Sequence, residues 1–327
     1  MQTGSFLTSV QLRFMEVNMV LIPRRLQVGD TIGVISPSNP VTDELEEQFT
    51  AGTAWLEALG FRVLVGEHVH STSWGHGAAP QEKAEDIHRM FADRSVGAII
   101  CTQGGNTANA SLPYLDWECI RANPKIFMGI SDITVLLNAI HLKTGLITFH
   151  GNDVIWGFGR EPQEYDREQF VSRLMSATIG IIPQRMERRA VREGRAEGHL
   201  LGGNLRCLLK LAGTPYFPDF RGSILVLEAL HATPADCEAA FNQLKQMGVF
   251  ERIRGVVIGY IHGMQKDGQS DSQMETVLAK VTSGFDFPIL KVNEFGHNCP
   301  NTVLPVGGRV RMDTATLSWG IIENCVQ

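Results

Sequence analysis

The sequence predicts an α/β protein of two domains: an N-terminal, doubly wound, mostly parallel sheet with a serine on a strand-to-helix turn, then a C-terminal α/β domain with a mixed sheet. Three observations carry that expectation. From about residue 30 onward, short runs rich in Val and Ile alternate with helical stretches, and the runs are apolar on both faces. That is the pattern of a parallel sheet covered on both sides. The chain has 327 residues, 43% hydrophobic and 20% charged, enough for two cores of ordinary size. Residues 157–195 then break the alternation with Gly157-Phe-Gly159, the charged stretch Arg160–Glu168 and the run Arg185–Arg195. The expected organisation is therefore a first domain over 19–156, a linker and peripheral segment over 157–195, and a second domain over 196–327.

The elements follow in order. Thr31–Ser36 reads as a strand, Thr42–Leu59 as a helix and Arg62–Val65 as a second strand. The helix Gln81–Ala92 leads into the apolar strand Ala98–Cys101, a glycine turn and a helical Asn109–Tyr114. Lys125–Gly129 is the fourth strand, Ile133–Lys143 a helix and Leu146–Phe149 the fifth strand. Beyond the boundary come a helix at Gly203–Leu211, a strand at Ile224–Glu228, a helix at Ala235–Gln246 and a strand at Gly255–Tyr260. The helix Gln273–Val281 precedes the strand Ile289–Asn293 and a terminal strand pair around Arg309–Met312 and Thr316–Trp319.

Charge and composition narrow the function. A net charge of −6 with no long basic run argues against nucleic acid as a partner. No stretch reaches the ~20 apolar residues of a membrane-spanning helix. Residues 1–18 lack the continuous apolar core of a signal peptide and read as an extension ahead of a natural start at Met19-Val-Leu-Ile-Pro. Six cysteines are scattered without a CxxC pair, so neither a disulfide framework nor a zinc site is expected, and the default compartment is the cytoplasm. No GxGxxG follows the first strand and no GxxxxGK[ST] occurs, so no cofactor or metal is expected.

In open α/β sheets ligands bind beyond the carboxyl ends of strands, which directs attention to the strand-end loops. The most informative is Lys125-Ile-Phe-Met-Gly-Ile-Ser131-Asp-Ile-Thr134, a buried strand that runs into a serine and then a helix. A serine on such a turn is pushed out of the sheet, with the following N–H groups aimed at whatever it attacks. Ser and Asp are equally the common helix N-caps, so the stretch also reads as a cap. Gly104-Gly105 could bring backbone N–H groups close to an anion, or simply make a tight turn. Gly202-Gly203 and Gly307-Gly308 read as helix-start and turn punctuation. His150, His262 and His297 all follow apolar runs beside glycine, and spacing does not choose among them. Glu228 ends the apolar Ser223-Ile-Leu-Val-Leu-Glu, where a carboxylate needs a partner such as an imidazole N–H. Trp156, after His150, could wall a pocket.

Several motifs in order resemble one family. They are Gly29-Asp-Thr-Ile-Gly-Val-Ile-Ser-Pro-Ser38, Cys101-Thr-Gln-Gly-Gly-Asn106, Leu112-Pro-Tyr-Leu-Asp116 and Asn123–Thr134, followed by Thr148-Phe-His-Gly151, Gly202-Gly-Asn-Leu205, Leu225-Val-Leu-Glu228 and Phe295-Gly-His297. Together they are similar to the LD-carboxypeptidase family of serine peptidases, which includes the microcin C self-immunity peptidases. The resemblance covers nearly all of residues 27–313. It implies a Ser–Glu–His triad of Ser131, Glu228 and His297, an oxyanion hole from the amides of Asp132 and the Gly104–Gly105 turn, an active site between two domains, and a homodimer.

The murein-trimming members typically carry Arg-Gly-Gly-Tyr-Gly at the glycine loop, where this chain has Gln103-Gly-Gly-Asn-Thr107, closer to the microcin-immunity type. They also carry an acidic residue after the catalytic Glu, where this chain reads Glu228-Ala-Leu-His-Ala-Thr-Pro234. The expected substrate is therefore a peptidyl or aminoacyl nucleotide. The alternatives are a murein tetrapeptide that loses D-Ala, and a two-domain binding protein without catalysis. Asn106, His150, Asn152, Trp156, Asn204 and Arg206 are the candidate substrate-binding residues.

Overall fold

The computed structural model describes residues 20–265 and 273–327, so the expected extension over residues 1–18 lies outside the described residues. The first sheet starts with β1 (Thr31–Ile35), β2 (Arg62–Val65), β3 (Val96–Cys101), β4 (Ile126–Gly129) and β5 (Thr148–His150), which run parallel in the order β5-β4-β3-β1-β2. Its inner strands are buried on both faces, as the double-sided Val and Ile runs require. The strand order reverses between β3 and β1, so the loops after these two strands diverge and open a crevice at their carboxyl ends. Across it the Asn39 N–H donates to the Gly104 carbonyl at 3.2 Å.

The helix Thr134–Thr144 follows β4 and is buried along most of its length, because it packs between the two sheets. Gly145 ends it in the left-handed region at φ 78, returning its N–H to the His141 carbonyl.

The second sheet contains β6 (Gly180–Ile181), β7 (Arg189–Arg192), β8 (Arg195–Asn204), β9 (Ser223–Leu230), β10 (Gly255–His262) and β11 (Ile289–Gly296). Strands β8 to β11 are parallel in sequence order. After them, β12 (Leu304–Val306) crosses to the first sheet and pairs antiparallel with β5. β13 (Arg309–Asp313) and β14 (Ser318–Ile321) then return to the second sheet, giving β6-β14-β13-β8-β9-β10-β11-β7 among the described residues. β6 and β7, both inside residues 157–195, are its two edges.

One expected element is corrected. Gly202 and Gly203 do not begin a helix over Gly203–Leu211; they are the end of strand β8, and a short helix, Leu205–Leu209, starts after Asn204. The glycines are needed for close approach. At φ 118 and 129, a Cβ on Gly202 would lie 2.2 Å from the Val226 carbonyl oxygen, and one on Gly203 2.6 Å from Thr134 Oγ1. Asn204 then caps the helix, its Oδ1 accepting from the Cys207 N–H at 3.2 Å.

Strand β11 carries a large bulge. Between the pairs Ile258↔Lys291 and Tyr260↔Gly296, β10 advances two residues while β11 advances five. Lys291, fully buried, fills the irregularity by donating to the carbonyls of Gly259 at 2.6 Å and Val292 at 2.9 Å and to Asn293 Oδ1 at 2.6 Å. Bulges re-aim a strand end. The residue that follows this one is His297.

Candidate active site

The serine turn is built by steric necessity. β4 is buried throughout, Ile130 is extended at φ −133, and Ser131 adopts φ 63, in the left-handed region that a β-carbon disfavours. A Cβ on Gly129 would lie 2.9 Å from Ile133 Cγ2, so glycine is required where the turn folds over the strand end. Gly104 presses on the same serine. A Cβ there would lie 2.5 Å from Ser131 Cβ, 2.8 Å from its Oγ and 3.2 Å from the Asp132 nitrogen. Gly105, at φ 146, is confined between Asn39 and Ser38, where a Cβ would come within 2.2 Å of Asn39 Oδ1. Of the expected oxyanion residues, Gly104 lies against Ser131 and the Asp132 nitrogen, and Gly105 next to it lies against the loop after β1.

Glu228 lies in the last part of β9, fully buried, and His297 directly follows β11. His297 Nδ1 is 2.7 Å from Glu228 Oε2, and the imidazole keeps 15% of its surface exposed. Burial works against both charged forms, yet each partner outweighs it for the other. The His297 pKa is raised by the Glu228 carboxylate and its hydrogen bond, and the Glu228 pKa is lowered chiefly by His297.

The three histidines that spacing left tied are separated by their surroundings. His150 is fully buried, edge-on to Phe295 with centroids 6.0 Å apart, and burial pulls its pKa down to about 4. It is a neutral wall of the site at neutral pH. His262 meets His231, with centroids 5.1 Å apart, and the Asn298 side-chain amide at 3.2 Å.

The remaining candidates divide. Trp156 is 40% exposed, and its Nε1 donates at 3.0 Å to Gln103 Oε1, directly before the glycine pair. Its ring carries the Arg160 guanidinium at 4.0 Å. Asp153, buried in the same loop, accepts from the Trp156 and Gly157 N–H groups at 2.8 and 2.9 Å. Burial pushes its pKa up to about 6, and it feels the charge of His297. Asn204 sits opposite Glu228 in the β8–β9 register, and its N–H donates to Thr134 Oγ1 at 2.9 Å. Asn106 is exposed on the glycine loop. Asn152 is buried and bonds the Asp166 carboxylate, while Arg206 is half exposed and ion-paired with Asp236 at 2.7 Å.

Sequence reasoning missed Ser38, Gln103, Asp153 and Lys210. Lys210 reaches Asp132 across 78 residues of chain, a pairing without a local signature. Among the described residues, no group of three or more His, Cys, Asp or Glu is arranged to hold a metal ion, and no helix is long and apolar enough to cross a membrane.

A two-sheet α/β chain that carries both a strained serine turn and a buried carboxylate–imidazole pair has the parts of a serine-type amide hydrolase. Comparison with known proteins makes the class specific. Family models described as the LD-carboxypeptidase N-terminal and C-terminal domains match residues 32–151 and 197–312. The chain is 30% identical to the microcin C7 self-immunity protein MccF of Escherichia coli, over 93% of this chain and 96% of that protein. It is 32% identical to a probable murein peptide carboxypeptidase of Bacillus subtilis, over 90% of this chain and 92% of that one. A solved structure of MccF in complex with aspartyl sulfamoyl adenosine superposes with a TM-score of 0.86 at 29% identity, covering 94% of this chain and all of that one. The protein belongs to the LD-carboxypeptidase family and is a serine-type carboxypeptidase or amide hydrolase.

Proposed function

We propose that the protein hydrolyses the amide bond of a peptidyl or aminoacyl nucleotide through a Ser131 acyl-enzyme. The observation that carries the triad is the 2.7 Å Glu228–His297 pair, half of a base–acid relay, in a protein whose serine turn is lined by Gly104 and the Asp132 amide. Ser131 Oγ attacks the carbonyl carbon as His297 takes its proton. The developing oxyanion is held by the N–H groups of Asp132 and the Gly104–Gly105 turn. His297 then protonates the departing amine, and the C–N bond breaks to leave the serine ester. Water enters with His297 again as base, its O–H proton passing to the imidazole and then to Ser131 Oγ as the ester opens. Glu228 fixes the imidazole tautomer and stabilises its charge in both halves.

For the substrate, support comes from the loop Gln103-Gly-Gly-Asn-Thr107 and from the half-exposed Trp156 ring bonded to it, an apolar plane on which a nucleobase can stack. MccF, the relative bound to aspartyl sulfamoyl adenosine, matches nearly end to end. The deciding measurement compares release of the amino acid from an aspartyl sulfamoyl adenylate with release of D-Ala from a murein tetrapeptide. Faster turnover of the nucleotide is expected; turnover of the tetrapeptide alone makes the protein a murein LD-carboxypeptidase. Ser131→Ala should lower hydrolysis by roughly four to six orders of magnitude. Near-wild-type hydrolysis in that variant would overturn the mechanism.

A further inference from the structure

The turn that carries Ser131 is clamped by a side chain the hydrolysis scheme does not use. Asp132 is fully buried, and its carboxylate gathers three donors from three parts of the chain. Ser38 Oγ donates to Oδ2 at 2.6 Å, the Ala108 N–H to Oδ2 at 2.8 Å, and Lys210 Nζ to Oδ1 at 2.5 Å. Lys210 also donates to the Asn106 carbonyl at 2.9 Å. A buried lysine, Lys83, reaches Thr107 Oγ1 at 2.7 Å. Residues 106, 107 and 108, which continue directly from Gly104–Gly105, are therefore each tied down, two of them through the Asp132–Lys210 pair.

We propose that Asp132 and Lys210 form a positioning pair for the acylation step, an inference that rests on Ser131 being the nucleophile. The oxyanion donors come from two separate segments, the turn after β4 and the glycine loop after β3. Donors act on a developing charge only when held within a few tenths of an ångström of its position. One carboxylate that binds both segments sets their spacing, and Lys210 holds that carboxylate from the other side. Lys210 follows the Leu205–Leu209 helix of the second half of the chain. The clamp therefore joins the serine turn to the half of the chain that also carries Glu228 and His297. Neither side chain touches a reacting atom.

The test is the reaction of the full-length protein with an alkyl fluorophosphonate, which needs the serine and the oxyanion donors but no knowledge of the natural substrate. The maximal inactivation rate of Lys210→Met should fall on the order of 10- to 100-fold, with the half-saturating probe concentration held within about twofold. Lys210→Arg should recover most of that rate, since it restores a cation to Asp132. Ser38→Ala, which removes one donor and little volume, should fall in the same direction by less. This variant decides the matter if Lys210→Met does not fold. Wild-type inactivation rates in both Lys210→Met and Ser38→Ala, or a loss confined to the half-saturating concentration, overturn the pair as a positioning device. A wild-type protein that does not react overturns the nucleophile reading and this inference with it.

Discussion

His297 and His150 face the same carboxylate, yet their acid–base properties diverge. His297 bonds Glu228 directly and has its pKa raised; His150 is buried with no hydrogen-bond partner for either ring nitrogen among the described residues, and burial takes its pKa down to about 4. The base role proposed for His297 requires its neutral form. Hydrolysis should therefore decline as pH falls through a midpoint above the ordinary histidine value of about 6.5. Because the midpoint is lifted by Glu228, Glu228→Gln should move that acid limb toward lower pH while cutting the plateau rate about 10⁴-fold. A pH–rate profile of the two proteins checks this, and an unmoved limb would assign it to another group. Linkage adds a stability effect with the opposite sense for the two partners. The His297 contribution is present at low pH and lost as pH rises through its raised pKa, whereas the Glu228 contribution is lost as pH falls through its lowered one. The pair is most stabilising between those two points.

At the scale of elements, the glycine loop is the least forgiving part of the site. Gly104→Ala would place a methyl group 2.5 Å from Ser131 Cβ, so the loop or the strained turn must move. The expected result is a loss of at least about 100-fold in acylation rate, with the melting temperature changed by only a few degrees because the loop is not core. Stopped-assay kinetics beside a thermal melt separate the two effects. Much of the scaffold was legible in the sequence for local reasons. Arg62–Val65 and the helix Gln273–Val281 fall where periodicity and flanking residues put them. Strand β8 was not legible, because Arg195-Ala-Glu-Gly-His-Leu-Leu-Gly-Gly-Asn mixes charges with glycines whose role, passing close to β9 and to Thr134, exists only in the tertiary structure. The same limit hid the Asp132–Lys210 pair and the β11 bulge, whose partners are distant in sequence. Spacing had left three histidines possible, and it is His297 that bonds Glu228 in the structure.

At the scale of the whole molecule, the two sheets are sewn together by their chain path. β12 leaves the second half to pair with β5, and the helix Thr134–Thr144 is packed between the sheets, with Asn138 Nδ2 donating to the Gly202 carbonyl at 2.9 Å. Neither sheet can be removed without exposing the core of the other. Differential scanning calorimetry should therefore give one transition whose van't Hoff and calorimetric enthalpies agree; two resolved transitions would mean that the halves melt independently. The path of β12 has a further consequence for synthesis. A ribosome makes the serine turn, the glycine loop and five strands of the first sheet well before it makes His297 and the strand that completes that sheet. Under the proposed mechanism the nascent protein carries Ser131 early and acquires His297 late, so hydrolytic competence would wait for the strap between β11 and β12 to be threaded home.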